Sequence, residues 1–323
     1  MPALILFQRQ LLKVLIICFA FLQLNSLPAY SQDTYCIEDV KNLNLQSIPG
    51  KITAYYSPGQ ETRAQELKSL LERAAKLFED SLDVKIEFSL AALNTKDWNG
   101  IMDRPYGLPC MRPGTCKRSN VKFPAAKYVA IMPGAINGPL YDSWIILKDS
   151  VQQTTVQTLH NAGLDFEQGG KVLIDFVGLH EVAHAYAHAF GINYYVNLFA
   201  ELMADYLAYA FLRSTPERMD LKVMPVLAAN VDGIRPVHST FGEYENFRSS
   251  EHPPTEAWYN SVITLKAAEI YEQRGFEFLH AVRKAFTEKE GQLKTDVILQ
   301  RLENIHPGIL KWAEGISAMV RVK

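Results

Sequence analysis

The sequence predicts an α+β protein, a small mixed β-sheet with one packed helix followed by a mainly helical half. Three observations carry that expectation. Residues 51–91 read as strand, helix and strand. A turn-rich stretch over about 94–125 then leads to two more strand patterns. From about residue 168, apolar positions recur at helical spacing nearly to the C-terminus. The 323 residues are 48% hydrophobic and 21% charged, ordinary globular composition that excludes collagenous, low-complexity and wholly disordered chains. With 33 basic and 35 acidic side chains, nothing pulls the whole chain toward nucleic acid or an anionic membrane.

The first element is a leader. Residues 1–31 hold no acid and two bases, Arg9 and Lys13, followed by the apolar run Val14–Leu22. That run is shorter than the roughly 20 residues a membrane span needs. Pro28 and the small residues Ala29 and Ser31 follow it. The pattern is that of a secretory signal peptide cleaved before Gln32, with an uncleaved N-terminal anchor as the other reading. A secreted or periplasmic location follows. Without residues 1–31 the chain keeps 31 bases and 35 acids over 292 residues, so its formal charge moves from -2 to -4. Export permits disulfides. Cys110 and Cys116 flank a Pro-Gly turn that can bring their sulfurs together, whereas Cys36 makes the count odd and leaves three free thiols open. No other stretch is long and apolar enough to span a membrane.

Residues 32–190 are expected to form an α+β subdomain and residues 191–323 a helical one. Within the first, 51–57 is a strand ended by Pro58-Gly59, and 61–82 is a helix with Ala64, Leu67, Leu71, Ala74 and Phe78 on one face. Residues 84–91 alternate as a strand, and Tyr128–Met132 and Ser143–Leu147 are two more. A helix is expected over about 170–190, stopped by Gly191, and a second from about Tyr194. The C-terminal helices, broken at Gly275, Gly291 and Pro307, are expected to close the lower wall of a cleft.

The first of the two long helices carries His180-Glu181-Val182-Ala183-His184, an HExxH pattern. On a helix the two histidines lie one turn apart on one face, roughly 6 Å along the axis, where both imidazoles can hold one Zn²⁺. Glu181 is rotated by about 100° from His180 and can flank the metal as general base for a water. Ala187 and Phe190 stand where a metzincin third ligand would need Gly and His, and His188 is two turns from His180, too far to share its ion. The better third ligand is Glu201. Seven residues separate it from the turn, as seven separate His184 from Gly191, so an antiparallel helix pair sets them level. Asp205, one turn on, then lies level with His180 and can accept its other ring N–H. Two acids in a helix as apolar as this one are costly unless paired or bound to metal.

HExxH followed by Glu201-Leu202-Met203-Ala204-Asp205 resembles the gluzincin zinc metallopeptidases, whose pattern is HExxH then ExxxD. The resemblance implies a zincin-like fold, zinc ligands His180, His184 and Glu201, Glu181 as general base, and Asp205 behind His180. It also implies peptide or protein substrates, with Ser143–Leu147 as the edge strand that pairs with them. Gluzincins place a downstream Tyr or His over the zinc, and His238, His252 and Tyr259 are the candidates here. Tyr259 opens an expected helix over Tyr259–Gln273, although core packing would also account for it. Two other readings stand beside the metallopeptidase: a non-catalytic binding protein on a zincin scaffold, and a core helix with an accidental motif. The intact Glu181 argues against the first, since a site that only holds metal has no need of that carboxylate. Oligomeric state is not legible in the sequence.

Overall fold

The computed structural model describes residue 40 and residues 43–102, 104–113, 127–192, 196–237, 240–246, 253–286 and 293–321. The expectations for the leader, for Cys36 and Cys116, and for His238 and His252 lie outside these residues. The described chain is mixed α/β and mostly helical, with a small mixed sheet and twelve helices.

The sheet has five strands: β1 (Gln46–Ile48), β2 (Ala54–Tyr56), β3 (Glu87–Leu93), β4 (Cys110–Pro113) and β5 (Lys127–Pro133). Their order is β1-β2-β3-β5-β4, with β2, β3 and β5 mutually parallel and the two outer strands antiparallel to their neighbours. Central β3 is buried continuously from Leu90 to Leu93, as a strand covered on both faces should be. α1 (Glu61–Leu82) buries Ala64, Leu67, Leu71, Ala74, Ala75 and Phe78 at three- and four-residue spacing and packs on β2 and β3. It stops at Asp83 (φ 52), whose N–H bonds the Glu79 carbonyl. An Asp tolerates this left-handed position better than a bulky residue.

Two expectations are corrected between β3 and the long helices. The stretch over 94–125 is not all loop. It contains α2 (Thr95–Ile101), capped by the Asn94 side chain on Asp97 N–H, and then β4. Nor is Ser143–Leu147 a strand: it lies inside α3 (Pro139–Leu147). Pro139 sits in the first turn after Gly138 (φ 95), a start that favours a helix. Leu140 and Trp144, one turn apart, are the helix's buried residues. Trp144 stacks on Phe166 with ring centroids 4.4 Å apart and donates its Nε1–H to the Phe166 carbonyl. Tertiary packing thus overrides the strand preference of the Ile145-Ile146 pair.

The helical half follows. It comprises α4 (Gln153–Asn161), α5 (Phe166–Ala189), α6 (Asn197–Ser214), α7 (Asp220–Gly233), α8 (Phe241–Asn246), α9 (Pro253–Arg274), α10 (Glu277–Ala285), α11 (Thr295–Ile305) and α12 (Ile309–Arg321). α5 touches α1 and β5 on one side and α6 on the other, and α9 packs on α6. Most of the buried apolar residues form one cluster that runs from Val40 to Ile316. No helix of the described residues is long and apolar enough to cross a membrane.

Candidate metal centre

α5 is fixed at both ends. Asp165 accepts from Gln168 N–H at 2.6 Å while the Gln168 side chain accepts from Asp165 N–H at 2.9 Å, a complete capping box. At the far end Gly191 (φ 83) takes the left-handed position. Gly191 N–H bonds the His188 carbonyl and Ile192 N–H the Ala187 carbonyl, the paired bonds of a Schellman stop. α6 begins at Val196, which has no capping side chain. Glu245 caps it instead, accepting from Asn197 N–H at 2.8 Å and Leu198 N–H at 2.6 Å. The buried face of α6 includes both of its acids, Glu201 and Asp205.

Packing of α5 on α6 brings His180, His184 and Glu201 together, with one ligand atom of each within 4.8 Å of the others. His180 Nε2 is 3.0 Å from Glu201 Oε2, and His184 Nε2 is 3.6 Å from Glu201 Oε1. Behind His180, Asp205 Oδ1 is 2.6 Å from Nδ1. A carboxylate there accepts a hydrogen bond from Nδ1–H and orients the ring so that Nε2 faces Glu201 and His184. α9 contributes the next contact. The Thr264 hydroxyl is 2.8 Å from Asp205 Oδ2 and 2.8 Å from the Asn260 carbonyl. It has one hydrogen to give, and the charged oxygen is the stronger acceptor.

Zinc bonds of about 2.0–2.1 Å in tetrahedral geometry set neighbouring ligand atoms about 3.3–3.4 Å apart, a value that the two His–Glu201 separations straddle on different carboxylate oxygens. Two imidazoles and one carboxylate are also a donor set that catalytic zinc takes, with a fourth position for water or substrate. The His184 side chain is 28% exposed against 11% for His180, so the cluster opens toward solvent on the His184 side. Burial alone would favour neutral His180, yet the Asp205 charge and hydrogen bond, helped by Glu201, hold its pKa well above the ordinary histidine value. Burial likewise works against ionised Glu201. The His184 and His180 partners overcome it and hold the carboxyl far below its usual range.

A cavity of about 70 Å³ adjoins the cluster. His180, Glu181, Glu201 and Asp205 line it, facing α9 and α7 residues that include Asn230, Glu256 and Asn260. Glu181 therefore shares a space with His180 and Glu201. Tyr259 does not line it. That ring is fully buried against Trp258, Phe241 and Tyr244, and its hydroxyl donates to the Thr240 carbonyl at 3.3 Å. The next residue, Asn260, reaches the wall, where its Oδ1 accepts from Tyr244 at 2.9 Å. His188 is exposed and outside the cluster. α9 supplies the facing wall, and none of the described residues of α10 to α12 lines the cavity.

Sequence pattern alone does not single out Glu245, Thr264, Asn260, Asn230 or Glu256. One signal was available: Glu256, Asn260 and Thr264 recur every four residues and form a polar stripe on α9. Comparison with protein-family models, curated proteins and solved structures finds no match to this chain.

Proposed function

We propose that the chain is a zinc-dependent metallopeptidase of gluzincin type that hydrolyses peptide or protein substrates outside the cytoplasm, as a secreted or periplasmic enzyme. The observation that carries this reading is the convergence of His180, His184 and Glu201 beside Glu181, with Asp205 holding the far nitrogen of His180. A zincin-like relation fits the mixed sheet, the HExxH helix packed on it and the second helix supplying the glutamate. In this reading His180, His184 and Glu201 would hold a Zn²⁺, which would supply Lewis-acid polarisation of a carbonyl and a more acidic water, and Asp205 would keep His180 in the tautomer that presents Nε2. Glu181 orients the attacking water, accepts its proton and returns one to the departing amine. Asn197 and Leu198, bound by Glu245, fix the start of the helix that delivers Glu201. β4 is the last strand in the described sheet order and packs against α5, so the substrate-pairing role expected of residues 143–147 passes to it.

Glu181→Gln tests the reading. It should retain one zinc per chain by elemental analysis and lose about 10²–10⁴-fold in peptide hydrolysis. A wild-type protein that carries one zinc yet cleaves nothing in a broad peptide library overturns the enzyme in favour of a binding protein. A protein that takes up no zinc overturns both.

A further inference from the structure

Adding water to a peptide carbonyl pushes an electron pair onto its oxygen, and that charge is best met by a hydrogen-bond donor already in place. Few side chains on the cavity wall can donate. The described lining residues include no lysine or arginine, the Ser261 hydroxyl is spent on the Ala257 carbonyl, and Thr264 gives its hydrogen to Asp205. Two amides remain, Asn230 and Asn260.

Asn260 has the fixed orientation such a donor requires. Its Oδ1 accepts from the Tyr244 hydroxyl at 2.9 Å, and its N–H₂ makes no hydrogen bond among the described residues. Burial and the charges of Glu201, Glu256, Glu245 and Asp205 hold the Tyr244 pKa well above its ordinary value, so the hydroxyl keeps its proton and donates it. A carboxamide that accepts at its oxygen turns its N–H₂ away from that partner. Asn230 has no side-chain hydrogen bond among the described residues to fix it in this way.

Two routes place Asn260 beside the metal cluster. Through α8, Glu245 binds the N–H groups of Asn197 and Leu198, one turn before Glu201, and its neighbour Tyr244 reaches Asn260. Along α9, the Asn260 carbonyl lies 2.8 Å from the Thr264 hydroxyl, which lies 2.8 Å from the Asp205 carboxylate that holds His180. The cavity between these walls, about 70 Å³, has room for a group of a few heavy atoms, since one water occupies about 10–15 Å³ by the same measure.

We propose that Asn260 is a catalytic residue that donates an amide N–H to the carbonyl oxygen of the scissile peptide, and that Tyr244 is the positioning residue that aims it. As the water oxygen bonds to the carbonyl carbon, its proton passes to Glu181 and the C=O electron pair moves onto the oxygen, where the Asn260 N–H meets it. The pair then returns, the C–N bond breaks and the proton on Glu181 goes to the departing amine, so peptide and water become acid and amine. Calling the oxygen that of a scissile bond rests on the peptidase reading. The donor itself can be measured without turnover.

The experiment uses full-length, zinc-loaded protein and two probes, acetyl-alanyl-leucinamide and its phosphinic analogue, whose anionic tetrahedral phosphinate stands in for the charged adduct. In calorimetric titrations Asn260→Ala should bind the phosphinate about 10–100-fold more weakly than wild type and lose less toward the amide. Asn260→Asp keeps the shape and the acceptor for Tyr244 but has no N–H, and it should lose at least as much. The first variant cannot lose binding by repulsion, and the second cannot lose it through missing shape. Tyr244→Phe should give a smaller loss in the same sense. Zinc affinity, read by chelator competition, should stay at the wild-type value in Asn260→Ala and Tyr244→Phe, which a general loosening of the site would not allow. On a cleaved peptide, Asn260→Ala should lower kcat about 10²–10³-fold with little change in KM. Circular dichroism establishes that each variant is folded, and the isosteric Asn260→Asp with Tyr244→Phe decides the matter if Asn260→Ala is not. Wild-type phosphinate affinity in a folded Asn260 variant, or no phosphinate binding by the wild type, overturns the proposal. A wild type that cleaves peptides beside such a result loses only the donor. Phosphinate binding that depends on Asn260, in a protein that cleaves nothing, loses only the peptidase.

Discussion

The contact between α1 and α5, over the sheet, and the contact among α5, α6 and α9 treat polar side chains in opposite ways. On the sheet side the polar pairs stand mostly at the rim. Lys171–Glu66 is 44% and 49% exposed, and Lys76–Asp80 is 73% and 64% exposed. Beneath them the contact is mainly apolar, as where Phe78 meets Tyr186 edge-on with centroids 5.1 Å apart, with one inner ion pair, Arg63–Asp175, whose side chains are 9% and 20% exposed. On the α6 side the polar groups are inside: Asp205 and Thr264 are each 2% exposed and Glu201 is 8% exposed. A rim pair contributes little and can be replaced, whereas a buried acid in an apolar helix is tolerated only when every partner is in place. One face of α5 is thus mostly apolar packing, and the other gathers buried polar side chains.

The largest effect that could break this comparison comes from the Thr264–Asp205–His180 chain. Thr264→Val removes the hydroxyl at nearly constant shape and leaves Asp205 Oδ2 buried with one partner fewer. Zinc affinity, read by competition with a chromogenic chelator, should fall about 10–100-fold, and Thr264→Ser should restore most of it. Lys171→Met, on the opposite face of the same helix, should leave zinc affinity unchanged. If both variants weaken zinc equally, the metal cluster responds to helix stability in general and the two faces are not distinct.

The two regions also differed in how much the residues disclose beforehand. The HExxH helix, its glycine stop and an acid helix folded back on it are local patterns, legible because helix period and turn length convert directly into position. The polar stripe of α9 was there to be read, but its partners lie 59 residues away in the case of Thr264 and Asp205, and no local period links them. On the sheet side α1, β3 and β5 follow from periodicity. Residues 143–147 do not, because a β-branched and aromatic run reads as a strand until Trp144 finds Phe166 and the α5 glycines to pack on. β4 was hidden for a related reason, being four residues long within a stretch of turn formers.

Those glycines supply the middle effect. A Cβ at Gly169 would lie 2.7 Å from Cζ2 of Trp144, a ring pinned by its stack and its hydrogen bond. A Cβ at Gly178 would lie 1.9 Å from Met132 Cε, the free end of a flexible side chain. The raw clash is worse at Gly178, but methionine can turn aside and the indole cannot. Gly169→Ala should therefore lose about 1–3 kcal/mol of stability to overpacking, reduced by up to about 1 kcal/mol of helix propensity, and Gly178→Ala should come out near neutral. Urea unfolding of the two variants orders them. The reverse order would mean that the sheet, rather than α3, is the unyielding surface under α5.

The smallest effect belongs to the rim. The Lys171 hydrogen bond lowers the Glu66 pKa below its ordinary value, against partial burial, with the Lys171 and Arg63 charges assisting. A carboxyl depressed in the folded state adds stability that is present above the ordinary carboxylate pKa and lost as pH falls through the lowered one. With both side chains nearly half exposed, the contribution should be only a few tenths of a kcal/mol and should shrink in high salt. The measurement is the difference in unfolding free energy between wild type and Lys171→Met as pH is lowered from neutral through the carboxylate range. Taking the difference cancels whatever acid does at the histidine cluster, which both proteins share. The gap should close on acidification. A gap that persists in acid and in salt would locate its origin in the lysine's aliphatic stem lying along α1, and the rim of the sheet side would then be packed rather than paired.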